Sequence, residues 1–134
     1  MTKLRHALVF VSNMERSVAF YRDVLGWPLT CQSPERTELA NGVTTLALHD
    51  ASRPSGAAAV QGEIAGRCQL GFWVEDVEAF HRDMVARGTP CIQPPTEDAS
   101  GAKFAVYADP DGLPFSVTGR RKEGWVDQGF RGAG

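Results

Sequence analysis

The residues that could do chemistry in this chain are few and scattered. Three histidines, His6, His49 and His81, stand far apart, and Gln69 lies 63 positions beyond His6. Ser116 has no Gly-x-Ser-x-Gly context and no base positioned beside it, so it does not read as a nucleophile. Cys31, Cys68 and Cys91 are odd in number, widely spaced and without a Cys-x-x-Cys pair. They read as reduced thiols in a cytoplasmic protein, Cys68 being expected to point toward the helix layer and to be inert. Trp73 and Tyr107 offer flat faces on which a ring could stack, and Lys103 offers a cation for an anionic ligand. His81, just after Phe80 on a predicted helix, reads as a surface residue.

These side chains need elements to position them. In the first part of the chain, strand alternation runs over Leu4 to Val11, a helix over about Asn13 to Leu25, and strands over Trp27 to Gln32, Thr37 to Ala40 and Val43 to His49. Ser12 stands three residues before Glu15, the capping-box spacing. Met14, Val18, Tyr21 and Leu25 form a helical stripe closed by Gly26 and Pro28. Asn41-Gly42 predicts a two-residue hairpin turn.

The order then repeats. A strand over Gln69 to Val74 leads to a helix over about Val77 to Arg87, capped by Asp76, striped by Val77, Phe80 and Met84 and ended by Gly88. Cys91 to Gln93 is a short strand, Pro94-Pro95 opens an extended loop, and Lys103 to Ala108 is a strand. The turn Asp109-Pro110-Asp111-Gly112 follows, then Leu113 to Thr118. Phe20-Tyr21-Arg22-Asp23 resembles Phe80-His81-Arg82-Asp83, so the halves read as a duplication. The expected fold is α+β: two tandem βαβββ modules, about 4–50 and 67–119, forming a curved mixed sheet around a cup with the helices outside. Residues 51–66 read as a linker. The tail, 120–134, carries Trp125 and Phe130, which either dock on a neighbour or stay disordered.

Alternation assigns faces. Ala7, Val9, Val11 and Leu70, Phe72, Val74 are uniformly apolar, as a helix-covered face should be. The opposite faces, His6, Leu8, Phe10 and Gln69, Gly71, Trp73, mix polar groups with aromatics, as a ligand-binding wall does. Period two adds Ala47, His49, Ser116 and Thr118 to that wall, and alternation places Lys103 with Tyr107 on the same side.

With those residues in hand, the chain resembles the vicinal-oxygen-chelate superfamily of glyoxalases, bleomycin-resistance proteins and extradiol dioxygenases. The resemblance is carried by His6, by the run from Ser17 through Phe20-Tyr21-Arg22-Asp23 to Gly26-Trp27, by Val74-Glu75-Asp76-Val77 and by Asp109-Pro110-Asp111-Gly112, and it spans roughly Leu4 to Gly119. It implies a divalent ion (Zn, Ni, Mn or Fe) held by His or Gln on the first strand of each half and by Glu on the last. His6 and Gln69 stand at the first positions, but Ala47 and Ser116 occupy the acidic ones. Two neutral ligands make a poor site for a dication. His49 either completes an unusual site with His6 and Gln69 or is a solvated or hydrogen-bonded strand-end residue beside Asp50.

Two functions follow from the resemblance. One is a metal-free, cofactor-free binder of an aromatic or heterocyclic small molecule, lined by His6, Leu8, Phe10, Ala47, His49, Gln69, Trp73, Lys103, Tyr107 and Ser116. The other is a metal-dependent glyoxalase- or dioxygenase-like enzyme using His6, Gln69 and His49. A homodimer is expected on either reading. The chain has 134 residues, 43% apolar and 22% charged, with net charge −2. That is ordinary globular composition with no basic stripe for nucleic acid and no apolar run near the roughly 18 residues of a membrane span.

Overall fold

The architecture comes from a computed structural model that describes residues 3–52, 68–98 and 101–120. Two units, Met1–Gly66 and Arg67–Gly134, each carry the same order of elements. The first holds β1 (His6–Val11), α1 (Met14–Ala19), β2 (Leu29–Gln32), β3 (Arg36–Ala40) and β4 (Thr45–Asp50). The second holds β5 (Leu70–Trp73), α2 (Val77–Ala86), β6 (Cys91–Glu97), β7 (Lys103–Ala108) and β8 (Pro114–Thr118). The sheets have the orders β1-β4-β3-β2 and β5-β8-β7-β6. In both, the first strand runs parallel to the last and the other pairs are antiparallel. This is the expected α+β fold of two tandem βαβββ modules.

Each helix packs on one face of its own sheet, α1 against β3 and β4 and α2 against β6 and β7. In the first module that face is made of Val9, Val11, Leu39, Leu46 and Leu48, all buried with Val18 and Tyr21 of the helix region. In the second it is Ala105, Tyr107, Phe115 and Val117, with Val77 and Met84 from α2. The apolar stripes read from the sequence thus face the sheets. Burying one such side chain contributes about 1.5–3 kcal/mol.

Local details correct several expectations. The cap of α1 is Asn13, whose Oδ1 accepts from Arg16 N at 2.9 Å, while Ser12 Oγ accepts from Arg16 Nη2 at 3.1 Å. Asn13 sits in extended backbone one residue before the helix, where a side-chain oxygen reaches the third residue on. After Ala19 the helix widens into a π-helical turn, Phe20–Val24, and the consecutive aromatics Phe20 and Tyr21 are both buried. Asp76 caps α2 as expected, accepting from Ala79 N at 3.1 Å.

The β3–β4 connection is four residues, 41–44, rather than a two-residue turn. Asn41 Oδ1 accepts from both Val43 N and Thr44 N at 2.9 Å. Gly42 supplies the left-handed position with φ 89°, and among the described residues no non-glycine has positive φ. Asn41 therefore acts through its side chain, not by adopting φ > 0. Pro94 and Pro95 lie inside β6, which among the described residues pairs only with β7 and whose register shifts on both sides of Gln93. An edge strand with irregular pairing is where proline is tolerated, since it has no ladder N–H to give. The 53–66 part of the linker, residue 67, and the 121–134 part of the tail with Trp125 and Phe130, lie outside the described residues.

Candidate ligand-binding faces

In the first module the face away from α1 is a lattice set by strand register. Residues directly opposite across a ladder share a face. The rows are Phe10–His49–Arg36, Leu8–Ala47–Glu38 and His6–Thr45–Ala40. Ala47, an alanine between Leu8 and Glu38, occupies the centre and is fully buried, while His6, Leu8, Phe10 and His49 are half-buried around it. Phe10 and His49 meet edge to face, with ring centroids 5.7 Å apart and planes at 80°. Arg36 Nη2 and Glu38 Oε1 are 3.9 Å apart, and each side chain is more than a third exposed. The expected group of His6, Leu8, Phe10, Ala47 and His49 is thus brought onto one face.

Arg36 and Glu38 join that group, and sequence reasoning missed them. The signal was present. Thr37 and Leu39 alternate inward on β3, so Arg36 and Glu38 point the other way. A two-residue turn would have given a register two residues off, but a shift of two leaves every face unchanged.

In the second module the face away from α2 has the rows Trp73–Thr118–Phe104 and Gly71–Ser116–Val106. A Cβ added at Gly71 would stand 3.2 Å from Ser116 Oγ, so the missing side chain leaves Ser116 its space. Gln69 is exposed and just precedes β5. Trp73 and Ser116 are half-buried.

Lys103 and Tyr107 are on the other side. Tyr107 is opposite Phe115, fully buried, and packs edge-on against Phe80 of α2 at 5.5 Å. Its hydroxyl meets His81 Nδ1 at 2.9 Å, so His81 is a half-buried partner rather than a surface residue. Lys103 Nζ donates to Glu78 Oε1 of α2 at 3.0 Å, and that bond holds its pKa above the usual value. The cause is turn length. A four-residue turn, 109–112, would pair 108 with 113 and put Lys103 and Tyr107 beside Ser116. The turn has five residues, and Ala108 pairs with Pro114. A slip of one residue exchanges the two faces. Both therefore belong to the helix-covered layer and not to a ligand wall.

The three cysteines are free and exposed, Cys68 included, and Cys31 lies opposite Glu38 on the first module's face away from α1. Among the described residues no three His, Cys, Asp or Glu side chains converge to hold an ion. At the two positions where the resemblance asks for carboxylates, Ala47 has Leu8 and Glu38 as strand partners and Ser116 has Gly71 and Val106. This donor set does not fit the divalent ion that the resemblance implies.

Comparison with known proteins agrees with the fold of the two modules. The model of the Glyoxalase/Bleomycin resistance protein/Dioxygenase superfamily matches residues 3–117. The uncharacterized protein YraH of Bacillus subtilis is 31% identical over 119 residues, covering 81% of this chain and 91% of that protein. The uncharacterized protein YaeR of Escherichia coli is 25% identical, over 87% of this chain and 95% of that protein. Among solved structures, a lactoylglutathione lyase from Agrobacterium tumefaciens superposes with a TM-score of 0.72 at 20% identity. It covers 94% of this chain and 99% of its own. At that identity the likeness is one of fold.

Proposed function

This chain belongs to the Glyoxalase/Bleomycin resistance protein/Dioxygenase superfamily, and from that premise we propose that it binds a small aromatic or heterocyclic molecule without the superfamily's catalytic metal. One observation carries the reading. Ala47 stands at the centre of the first module's face away from α1, buried and without a donor atom, where a metal-dependent relative would need a carboxylate. Around it the Phe10–His49 pair and Leu8 offer flat apolar contact, and His6 offers a polar edge. Trp73 and Ser116 repeat the combination of a flat wall and a small polar floor in the second module. Binding of this kind gains from apolar burial, with a few polar groups fixing orientation. Within this reading the protein acts as a cytoplasmic homodimer. Exposed free thiols suit a reducing compartment. Among the described residues no helix is long and apolar enough to cross a membrane.

Elemental analysis of the purified protein, combined with thermal unfolding in the presence of flat heterocyclic compounds, tests the proposal. The expected outcome is substoichiometric metal and a ligand-induced rise in Tm that survives EDTA. A ligand present at 100 times its Kd should add about 2.7 kcal/mol. One metal per chain, lost on chelation together with the Tm rise, would favour an enzyme using His6, Gln69 and His49. Sedimentation velocity checks the dimer.

A further inference from the structure

The duplication has left the two faces away from the helices chemically unequal. In the second module the paired residues of that face, Gly71, Trp73, Phe104, Val106, Ser116 and Thr118, include no ionisable side chain. In the first module the same lattice carries His6, His49, Arg36 and Glu38. Three are nitrogen groups that donate hydrogen bonds, and only one is a carboxylate. Arg36 closes the row that begins with the Phe10–His49 ring pair, so a cation stands beside a flat surface.

Resting on the binding function proposed above, we propose that Arg36 is the specificity-determining residue and that the ligand is a flat ring bearing a carboxylate. The guanidinium is a planar fork that matches a carboxylate with two parallel hydrogen bonds. Its contact with Glu38 is 3.9 Å, well beyond the roughly 2.7–2.9 Å of a charge-assisted hydrogen bond. An exposed pair at that length is weakly held and can be rearranged by a competing anion. Glu38, being acidic, disfavours a ligand whose charge falls on the Ala47 side of the row. Ring contact comes from Phe10 and His49, so neither a bare anion nor a bare ring satisfies the whole row.

Titration of the 15N-labelled full chain with benzoate and, separately, with its neutral analogue benzamide tests this. The amide resonances of Phe10, His49 and Arg36 should shift with both, with benzoate binding roughly tenfold tighter at low salt. Arg36→Gln should bring benzoate down to the level of benzamide measured on the same variant, and an amide spectrum as dispersed as that of the parent shows that the variant is folded. Glu38→Gln should keep or strengthen the benzoate preference. Equal binding of the two probes, or a benzoate preference that survives Arg36→Gln, overturns the inference while leaving the binding face standing. If neither probe shifts these resonances, the binding face itself is wrong and the inference falls with it.

Discussion

Replacing Tyr107 with alanine is expected to cost about 3–5 kcal/mol of stability, the range for removing a large buried aromatic. Tyr107 is fully buried and touches the rings of Phe80 at 5.5 Å, Phe115 at 5.8 Å and His81 at 6.0 Å. Little else can move into that space, because α2 and β8 are fixed by their own ladders and caps. Tyr107→Phe separates the ring from the hydroxyl. It keeps the packing and loses the bond to His81 Nδ1, at a cost of about 1 kcal/mol.

Burial, with the nearby Cys91 and Glu78, pushes the Tyr107 hydroxyl up to about 12 from 10.0. The native state therefore keeps this proton where the unfolded chain has lost it. The stabilisation is complete below pH 10 and is lost as pH rises from about 10 through about 12. Denaturant unfolding of both proteins across that range should show the advantage of wild type over Tyr107→Phe shrinking with pH. A difference that stays constant to pH 12 would mean that the hydroxyl is not shielded as described.

Asp109→Ala should be the second large loss, about 2–4 kcal/mol by urea unfolding, from two orphaned donors at about 1–3 kcal/mol each. Asp109 is 3% exposed, and its Oδ1 accepts from Asp111 N at 2.9 Å and Leu113 N at 2.8 Å. The same turn is closed by Asp109 N donating to Leu113 O at 3.0 Å, with Gly112 at φ 80° supplying the reversal. Asp109→Asn retains an acceptor oxygen and should cost under about 1 kcal/mol. If alanine and asparagine are equally destabilising, the carboxylate acts through its charge and not through the two backbone bonds. The Asp-Pro-Asp-Gly string that helped reveal the family thus has a structural duty. It fixes a five-residue turn and, with it, which side of β7 faces α2.

That duty explains the division between what could be read and what could not. The repeat, the element order, the helix stripes and the left-handed glycine stops were legible because each depends on residues near one another in sequence. Helix period, capping and left-handed backbone are local properties, and Gly26, Gly88, Asp76 and the Val77–Met84 stripe behave as local rules demand. The aromatic and polar composition of the β1 face was legible for the same reason. Reading the Ser12–Glu15 spacing as a cap failed by one residue, because Asn13 stands at the cap and takes Arg16 N, which leaves Ser12 one residue outside, where its Oγ accepts from the Arg16 side chain.

The sequence by itself determined the fold class, the duplication and the absence of acid from positions 47 and 116. It did not determine which strands' faces coincide. Alternation gives two faces for each strand, but only pairing across the sheet says which face of one joins which face of the next, and a single extra turn residue reverses the answer. The tertiary structure placed Lys103 and Tyr107 against α2, gave His81 its partner, and set Arg36 and Glu38 beside His49 and Ala47. Those contacts join residues from separate strands and helices, and their geometry comes from ladder register, which no single strand encodes.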